Sequence, residues 1–493
     1  MDDPVSSDRP GGEGSGRRRA AGGPAPKAAA KPSSARPRAK AVAAGGAAKV
    51  VPAGGAAKAP RSRPAAPGAA GRRARAAGPV VAVPGSDHGA DGVGTRPEGG
   101  DRGPWRGARR RAVYSRRIQR ADERWPLATR SLAGLLRHPE LVLKALGTGE
   151  PVERDGRVLN RSVQAMLELA GRFDGGGPEG GRPETDPVVF RAQLRRQAVL
   201  AMPVRTDIHA WGRVVAGPEG APPVPVRIYR QYGSGLGLGR GDGRPIPGVV
   251  YFHGGGWVSG DLDSHDASCR MLAAVARCLV VSVDYRLAPE HPFPAAVDDA
   301  LAAYSWVQRH TGELGVDPAR VGVMGDSAGG NLAAVVALET RVGGKAVDPD
   351  VLPPAAQGLI YPAVDARMGT DSIRDLADSF FLTRESMEQS RALYLPDPRD
   401  WTDGRASPLL AEDHRGAAPA LVVTAGFDPL RNDGEHYADV LRAAGVPVEY
   451  RCYDDQVHGF MGMGILSDSL ALATEVCDAM GRLVRRAAAE APA

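Results

Sequence analysis

The chain has 493 residues, 42% of them hydrophobic, which is enough for a substantial core, and no apolar run of the eighteen or so residues that a membrane-spanning helix needs. Its formal net charge of +6 is unevenly placed: 25 of the 63 Lys and Arg but only 8 of the 57 Asp and Glu fall in residues 1–120, a local +17 that leaves the remainder at −11. The four cysteines, Cys269, Cys278, Cys452 and Cys477, show no Cys-x-x-Cys or Cys/His ligand spacing, so neither a disulfide framework nor a zinc site is expected.

Residues 1–104 contain no Leu, Ile, Phe, Tyr or Trp and are dominated by Ala, Gly, Pro, Arg and Lys. Such a segment cannot bury enough apolar area to offset the entropy of ordering it, and it is expected to be disordered. A basic tail of this kind could touch nucleic acid or another acidic surface without sequence preference, but it lacks the aromatic residues that stack on bases. A solvated appendage is the simpler expectation, and a nucleic-acid partner is not expected. The N-terminal Met-Asp-Asp-Pro has neither the basic nor the apolar region of a secretory signal, so a soluble, cytoplasmic protein is expected.

Residues 105–149 read as a basic linker with short helices at 127–137 and 140–146. Arg109, Arg110 and Arg111 with Leu132, Leu135 and Leu136 would suit a membrane-surface helix, or a helix packed on its own domain. Over 150–202, Leu159, Val163, Met166, Leu167 and Leu169, and then Phe190, Leu194 and Val199, recur at helical spacing, giving two helices placed to cap the domain C-terminal to them. Asp186 and Pro187 suit the N-cap and first position of the second.

The remainder, 203–488, alternates. A hairpin is predicted from strands at 205–215 and 224–229, with Val224, Val226 and Ile228 facing one way, and a flexible loop at 233–245 after it. Then come strand 249–252, helix 268–276, strand 279–284, and helix 295–309 with Val297, Leu301 and Tyr304 on one face. Next are strand 321–324 and helix 331–337, then strands 358–361 and 420–424, helix 435–444, strand 448–453 and helix 467–485. Such alternation predicts an α/β fold with a mostly parallel sheet and helices on both faces. Residues 364–396 interrupt it with helical stretches, as a cap insertion would.

Gly325-Asp326-Ser327-Ala328-Gly329 lies between a predicted strand and helix. A glycine-rich loop between two core elements would look similar. The strand–helix context instead suits a nucleophile elbow, in which the two glycines clear room for a sharp turn that exposes the Ser327 hydroxyl. A serine hydroxyl needs a base, and the base needs an orienting carboxylate. Asp428 follows the strand at 420–424 and His458 the strand at 448–453, in the chain order Ser, Asp, His, at the sheet edge where Ser327 stands. Asp428 before Pro429 could simply open a turn, and His458 could be a loop histidine; order and strand position favour the triad. Asp433 and Glu435 are expected to cap the next helix instead. His253-Gly254-Gly255-Gly256-Trp257, after its own strand, offers backbone N–H donors for an oxyanion. Gly255, Gly256 and Ala328 are the expected hole, with His253, Gly254 and Asp326 supporting it and His253 tying down the loop rather than acting as a base.

Together with Asp284-Tyr285-Arg286-Leu287-Ala288-Pro289-Glu290, Asp428-Pro429-Leu430 and His458-Gly459-Phe460, these motifs resemble the bacterial hormone-sensitive lipase family of carboxylesterases over about residues 150–485. The resemblance implies an α/β-hydrolase fold with a helical cap, hydrolysis of short- to medium-chain carboxylic esters, and the site assignments above, with 284–290 as a loop bracing the site. No metal or cofactor is expected; the expected partner is a small ester. An amidase or a deacetylase of a small metabolite on the same fold is the alternative, and a ligand-binding homologue without catalysis a further one. The oligomeric state is not legible.

Overall fold

The computed structural model describes residues 127–173, 187–231, 244–346, 348–378 and 380–486. The tail over 1–104, Asp186, and most of the predicted loop at 233–245 lie outside the described residues.

The N-terminal elements are helices α1 (Leu127–Leu136) and α2 (Pro139–Leu146), a short hairpin of β1 (Glu153–Arg154) and β2 (Arg157–Val158), α3 (Arg161–Phe173) and α4 (Pro187–Ala201). Pro139 starts α2, where its missing N–H costs nothing, and Gly147 ends it in the left-handed conformation. Leu136, Val142 and Leu143 are buried with Leu159, Val163 and Ala165, in a cluster that these helices share with Leu376, Phe380, Phe427 and Val457. In α4 the periodicity misleads. Phe190 and Leu194 are half-buried, but Val199 is exposed, and the inward face runs through Phe190, Arg191, Leu194 and Ala198.

The main sheet has eight strands: β3 (Ile208–Val215), β4 (Val224–Gln231), β5 (Ile246–Phe252), β6 (Leu279–Val283), β7 (Val316–Asp326), β8 (Gln357–Ile360), β9 (Ala420–Phe427) and β10 (Val448–Val457). Their order is β10-β9-β8-β7-β5-β6-β4-β3; β3 pairs antiparallel with β4 and β4 with β6, while every other pairing is parallel. The helices are α5 (Asp266–Ala276), α6 (Ala295–Arg309), α7 (Thr311–Leu314), α8 (Ala328–Glu339), α9 (Asp371–Asp375), α10 (Arg384–Tyr394), α11 (Arg431–Ala443) and α12 (Ser467–Arg486).

The central strands are buried on both faces, which is why they read as continuous apolar runs. Val250, Phe252, Val281 and Val323 pack on one side with α6, α8 and α11, and Val249, Tyr251, Val280 and Met324 on the other with α5 and α12. Helix α8 is buried from Ala328 to Leu338, and its small residues allow it to approach the sheet closely. Helix α11 begins at Arg431, four residues earlier than its periodicity suggests. Among the described residues no helix is long and apolar enough to cross a membrane.

Candidate active site

Several parallel strands end side by side, and each delivers one part of the site. After β7, Ser327 adopts a left-handed backbone conformation, φ 55° and ψ −120°, immediately before α8. For a residue with a side chain such strain costs on the order of 1–3 kcal/mol and survives only where the surroundings overdetermine it. Two glycines allow that. A Cβ on Gly325 would lie 2.1 Å from the Gly329 carbonyl oxygen, and one on Gly329 would lie 2.0 Å from that of Phe252. The turn is therefore pressed directly onto the end of β5, where the glycine loop begins.

Asp428 follows β9 and His458 follows β10. His458 Nε2 lies 3.0 Å from Ser327 Oγ, and its Nδ1 lies 2.8 Å from Asp428 Oδ2. A carboxylate only accepts, so Nδ1 carries the proton and the Nε2 lone pair faces the serine hydroxyl. Asp428 is fully buried, and its Oδ1 accepts the Leu430 N–H at 2.8 Å. The residues just before this pair, Phe427 and Val457, are packed with Leu136, Leu143, Val163, Leu376 and Phe380. Apolar packing from the N-terminal helices and from 364–396 thus surrounds the strand ends that hold Asp428 and His458.

The glycine loop is ordered peptide by peptide. In a trans peptide the C=O and the following N–H point opposite ways, so fixing one aims the other. Tyr285 OH donates to the His253 carbonyl at 2.7 Å, and the Gly254 N–H on the far side of that peptide donates to Asp326 Oδ1 at 3.1 Å. His253 Nδ1 lies 2.9 Å from the Gly254 carbonyl, which turns the Gly255 N–H away. The Gly255 carbonyl accepts from Val258 N, Ser259 N and Ser259 Oγ at 3.2, 3.0 and 2.8 Å, which turns the Gly256 N–H away. The Ser327 carbonyl accepts the Asn331 N–H at 3.1 Å, which leaves that of Ala328 pointing out of the helix. Among the described residues the N–H groups of Gly255, Gly256 and Ala328 have no acceptor. Gly255 and Gly256 take φ of 122° and 63°, and a Cβ on Gly255 would meet the Ser259 carbonyl at 2.3 Å.

The supporting residues form one buried group. Burial, aided by the neighbouring His265, pushes His253 down to about 4, so the ring is neutral and Nδ1–H can donate to Gly254. Burial alone would raise Asp326, but His265 and the Tyr251 hydroxyl, which donates at 2.7 Å, hold it below the usual carboxylate range. His265 is raised despite its burial, because Asp326 lies 3.5 Å from its Nε2. The Tyr285 ring stacks on His253 at 4.2 Å.

Residues 364–396 border the site on two sides. A Cβ on Gly256 would lie 2.7 Å from Ser390 Oγ of α10. Phe381, held at φ 72° and exposed, lies against Gly459, where a Cβ would be 3.1 Å from its ring. Tyr394, at the end of α10, stacks on Trp257 at 4.6 Å.

The acids expected to cap α11 do not. Because the helix starts at Arg431, Asp433 sits inside its first turn, fully buried, where it accepts from Thr370 Oγ1 at 3.1 Å. Burial and the neighbouring Asp365 push its carboxyl up to about 8. Glu435 accepts from the Asn432 side chain. Sequence reasoning missed Tyr251, Ser259, His265 and Arg191. Tyr251 reads as a core aromatic of the strand, two residues before the loop, and nothing local marks His265 or Arg191.

A family model for the α/β-hydrolase fold matches residues 249–462. The carboxylic ester hydrolase LipN of Mycobacterium tuberculosis is 41% identical over 340 residues, which cover 68% of this chain and 86% of that protein. The carboxylesterase NlhH of the same species is 39% identical over 321 residues, covering 60% and 95%. Among solved structures, LAE6, an α/β-hydrolase enzyme from the metagenome of Lake Arreo, superposes with a TM-score of 0.59 at 38% identity, over 66% of this chain and 98% of its own.

Proposed function

We propose a serine–histidine–aspartate mechanism for this chain, which belongs to the hormone-sensitive lipase family of α/β-hydrolase-fold carboxylesterases and is a carboxylic ester hydrolase. The observation that carries the proposal is the unbroken chain from Ser327 Oγ through His458 to Asp428, at 3.0 and 2.8 Å. Ser327 attacks the ester carbonyl while His458 Nε2 takes its proton, and Asp428 holds the imidazolium. The oxyanion is bound by the N–H groups of Gly255, Gly256 and Ala328, whose aim is fixed by the carbonyls on the other side of each peptide. His458 then protonates the leaving alcohol and later activates the water that releases the acid.

Short- to medium-chain acyl esters are the proposed substrates. Ser390 and Phe381, bordering the loops on two sides, support a confined site. In this reading 364–396 and the helices of 150–202 act as the cap. A cytoplasmic setting is proposed as well, supported by four free cysteines, three of them buried.

Hydrolysis of p-nitrophenyl esters from C2 to C16 by wild type and Ser327→Ala tests the mechanism. An optimum at C2 to C8 is expected, with kcat falling by about 10⁵- to 10⁶-fold in the variant while its circular dichroism is unchanged. A Ser327→Ala protein that retains more than a few per cent of activity would overturn the triad. An optimum at C16 would overturn the confined site.

A further inference from the structure

Arg191 lies on α4, outside the motifs, and its guanidinium reaches the glycine loop. Its Nε donates to the Val258 carbonyl at 2.7 Å and one terminal nitrogen donates to the Ala288 carbonyl at 2.8 Å. Both terminal nitrogens also bond Glu290, at 2.9 and 2.7 Å, and this pairing holds Glu290 below the usual carboxylate range. Ala288 in turn donates its N–H to the Trp257 carbonyl at 2.9 Å. The arginine therefore grips both sides of the junction between the glycine loop and the 284–290 segment.

The Val258 carbonyl shares its peptide with the Ser259 N–H, which donates to the Gly255 carbonyl at 3.0 Å. The Gly255 carbonyl shares its peptide with the Gly256 N–H. We infer that Arg191 is a positioning residue for the oxyanion hole, standing at the head of a relay that runs through the Val258–Ser259 and Gly255–Gly256 peptides. The inference rests on the triad reading above and extends it to the cap. A cation donating to the first carbonyl polarises that peptide and strengthens the donor at its other end, and the effect passes along the chain. The relay also fixes orientation: with Val258 C=O held by Arg191, Ser259 N–H cannot turn away from Gly255, nor the Gly256 N–H from the substrate. Its benefit is largest when negative charge develops on the carbonyl oxygen, so it acts on the transition state more than on the bound ester.

Arg195, one turn along the same helix, supplies the control. It pairs with Asp261 and lies 3.8 Å from Asp263, holding α4 to the same neighbourhood without touching the Val258 carbonyl. If Arg191 merely held the helix in place, Arg191→Met and Arg195→Met would behave alike, raising KM and lowering Tm together. With the relay, Arg191→Met lowers kcat about tenfold, a fraction of the 10²- to 10³-fold carried by a direct oxyanion donor, while KM on p-nitrophenyl butyrate stays within threefold. Arg195→Met leaves kcat within twofold. Arg191→Lys, which keeps the charge but not the fork, recovers part of the loss. A trifluoromethyl ketone, which adds to the serine as a tetrahedral oxyanion, should lose affinity for Arg191→Met by the same factor as kcat/KM. Equal effects of the two Met variants, or a loss confined to KM, would overturn the inference. An inactive wild type would instead strike the triad reading itself.

Discussion

The glycine turn at Ser327 and helix α4 are both built against the glycine loop that begins at His253, yet they are held there by opposite means. The turn is fixed by exclusion: backbone oxygens stand 2.0 and 2.1 Å from where side chains on Gly329 and Gly325 would begin. Helix α4 has no buried residue; Phe190 gives it a partial apolar contact, and two arginines fasten it by charge. The turn is thus held by packed backbone, which does not yield, and α4 by half-exposed ion pairs, which can.

Gly329→Ala should break the rigid half most severely. The added methyl would meet the Phe252 and His253 carbonyls, both backbone, so no side chain can swing aside. Esterase activity should fall at least 10³-fold, with a destabilisation of about 1–3 kcal/mol typical of overpacking, read as a lower Tm by calorimetry. Retention of more than a tenth of the activity would mean that the turn can slide on β5.

The same division decides what could be read from the sequence. Ser327, Asp428, His458 and the glycine loop were legible because strand ends, glycines and chain order impose them locally, and the geometry brings all of them together. The strand–helix alternation fixed the sheet for the same reason. The α4 face was misread at Val199 because a nine-residue step at about 100° per residue puts it opposite Phe190, while the charged Arg191 stands on the inward side. Asp433 was misread because its role depends on Thr370 and Asp365, more than sixty residues away, rather than on its place near a helix start.

Asp433, which joins α11 to the 364–396 segment through Thr370, has a pH dependence that the ion pairs of α4 lack. Its carboxyl is raised to about 8 from an ordinary 3.8, so between pH 4 and pH 8 the folded chain keeps a proton that the unfolded chain releases. The stability this confers is full below pH 4 and is lost as pH rises through 8, by at most about 1.4 kcal/mol per pH unit. Asp433→Asn cannot ionise and removes the slope. Melting curves from pH 5 to 9 should therefore show wild type losing several degrees relative to the variant as pH rises. Parallel curves would mean that the carboxyl is already ionised at neutral pH. Glu290, shifted the other way by Arg191, keeps its charge throughout this range, so the grip of α4 should not share that profile.

The smallest effects are expected on the outward face of α4. Val189 is 41% exposed and Val199 45% exposed, and neither belongs to a core cluster. Replacing either by Ser removes little buried apolar area, and surface changes of this kind stay within about 0.5 kcal/mol. Val189→Ser and Val199→Ser should therefore leave Tm within a degree or so and kcat/KM within twofold, whereas Arg191→Met on the inward face lowers kcat about tenfold. A clear loss of stability in either valine variant would show that something covers this face in solution, a second copy or part of the chain outside the described residues. The helix would then be held by burial after all, and its arginines would matter only for the loop they touch.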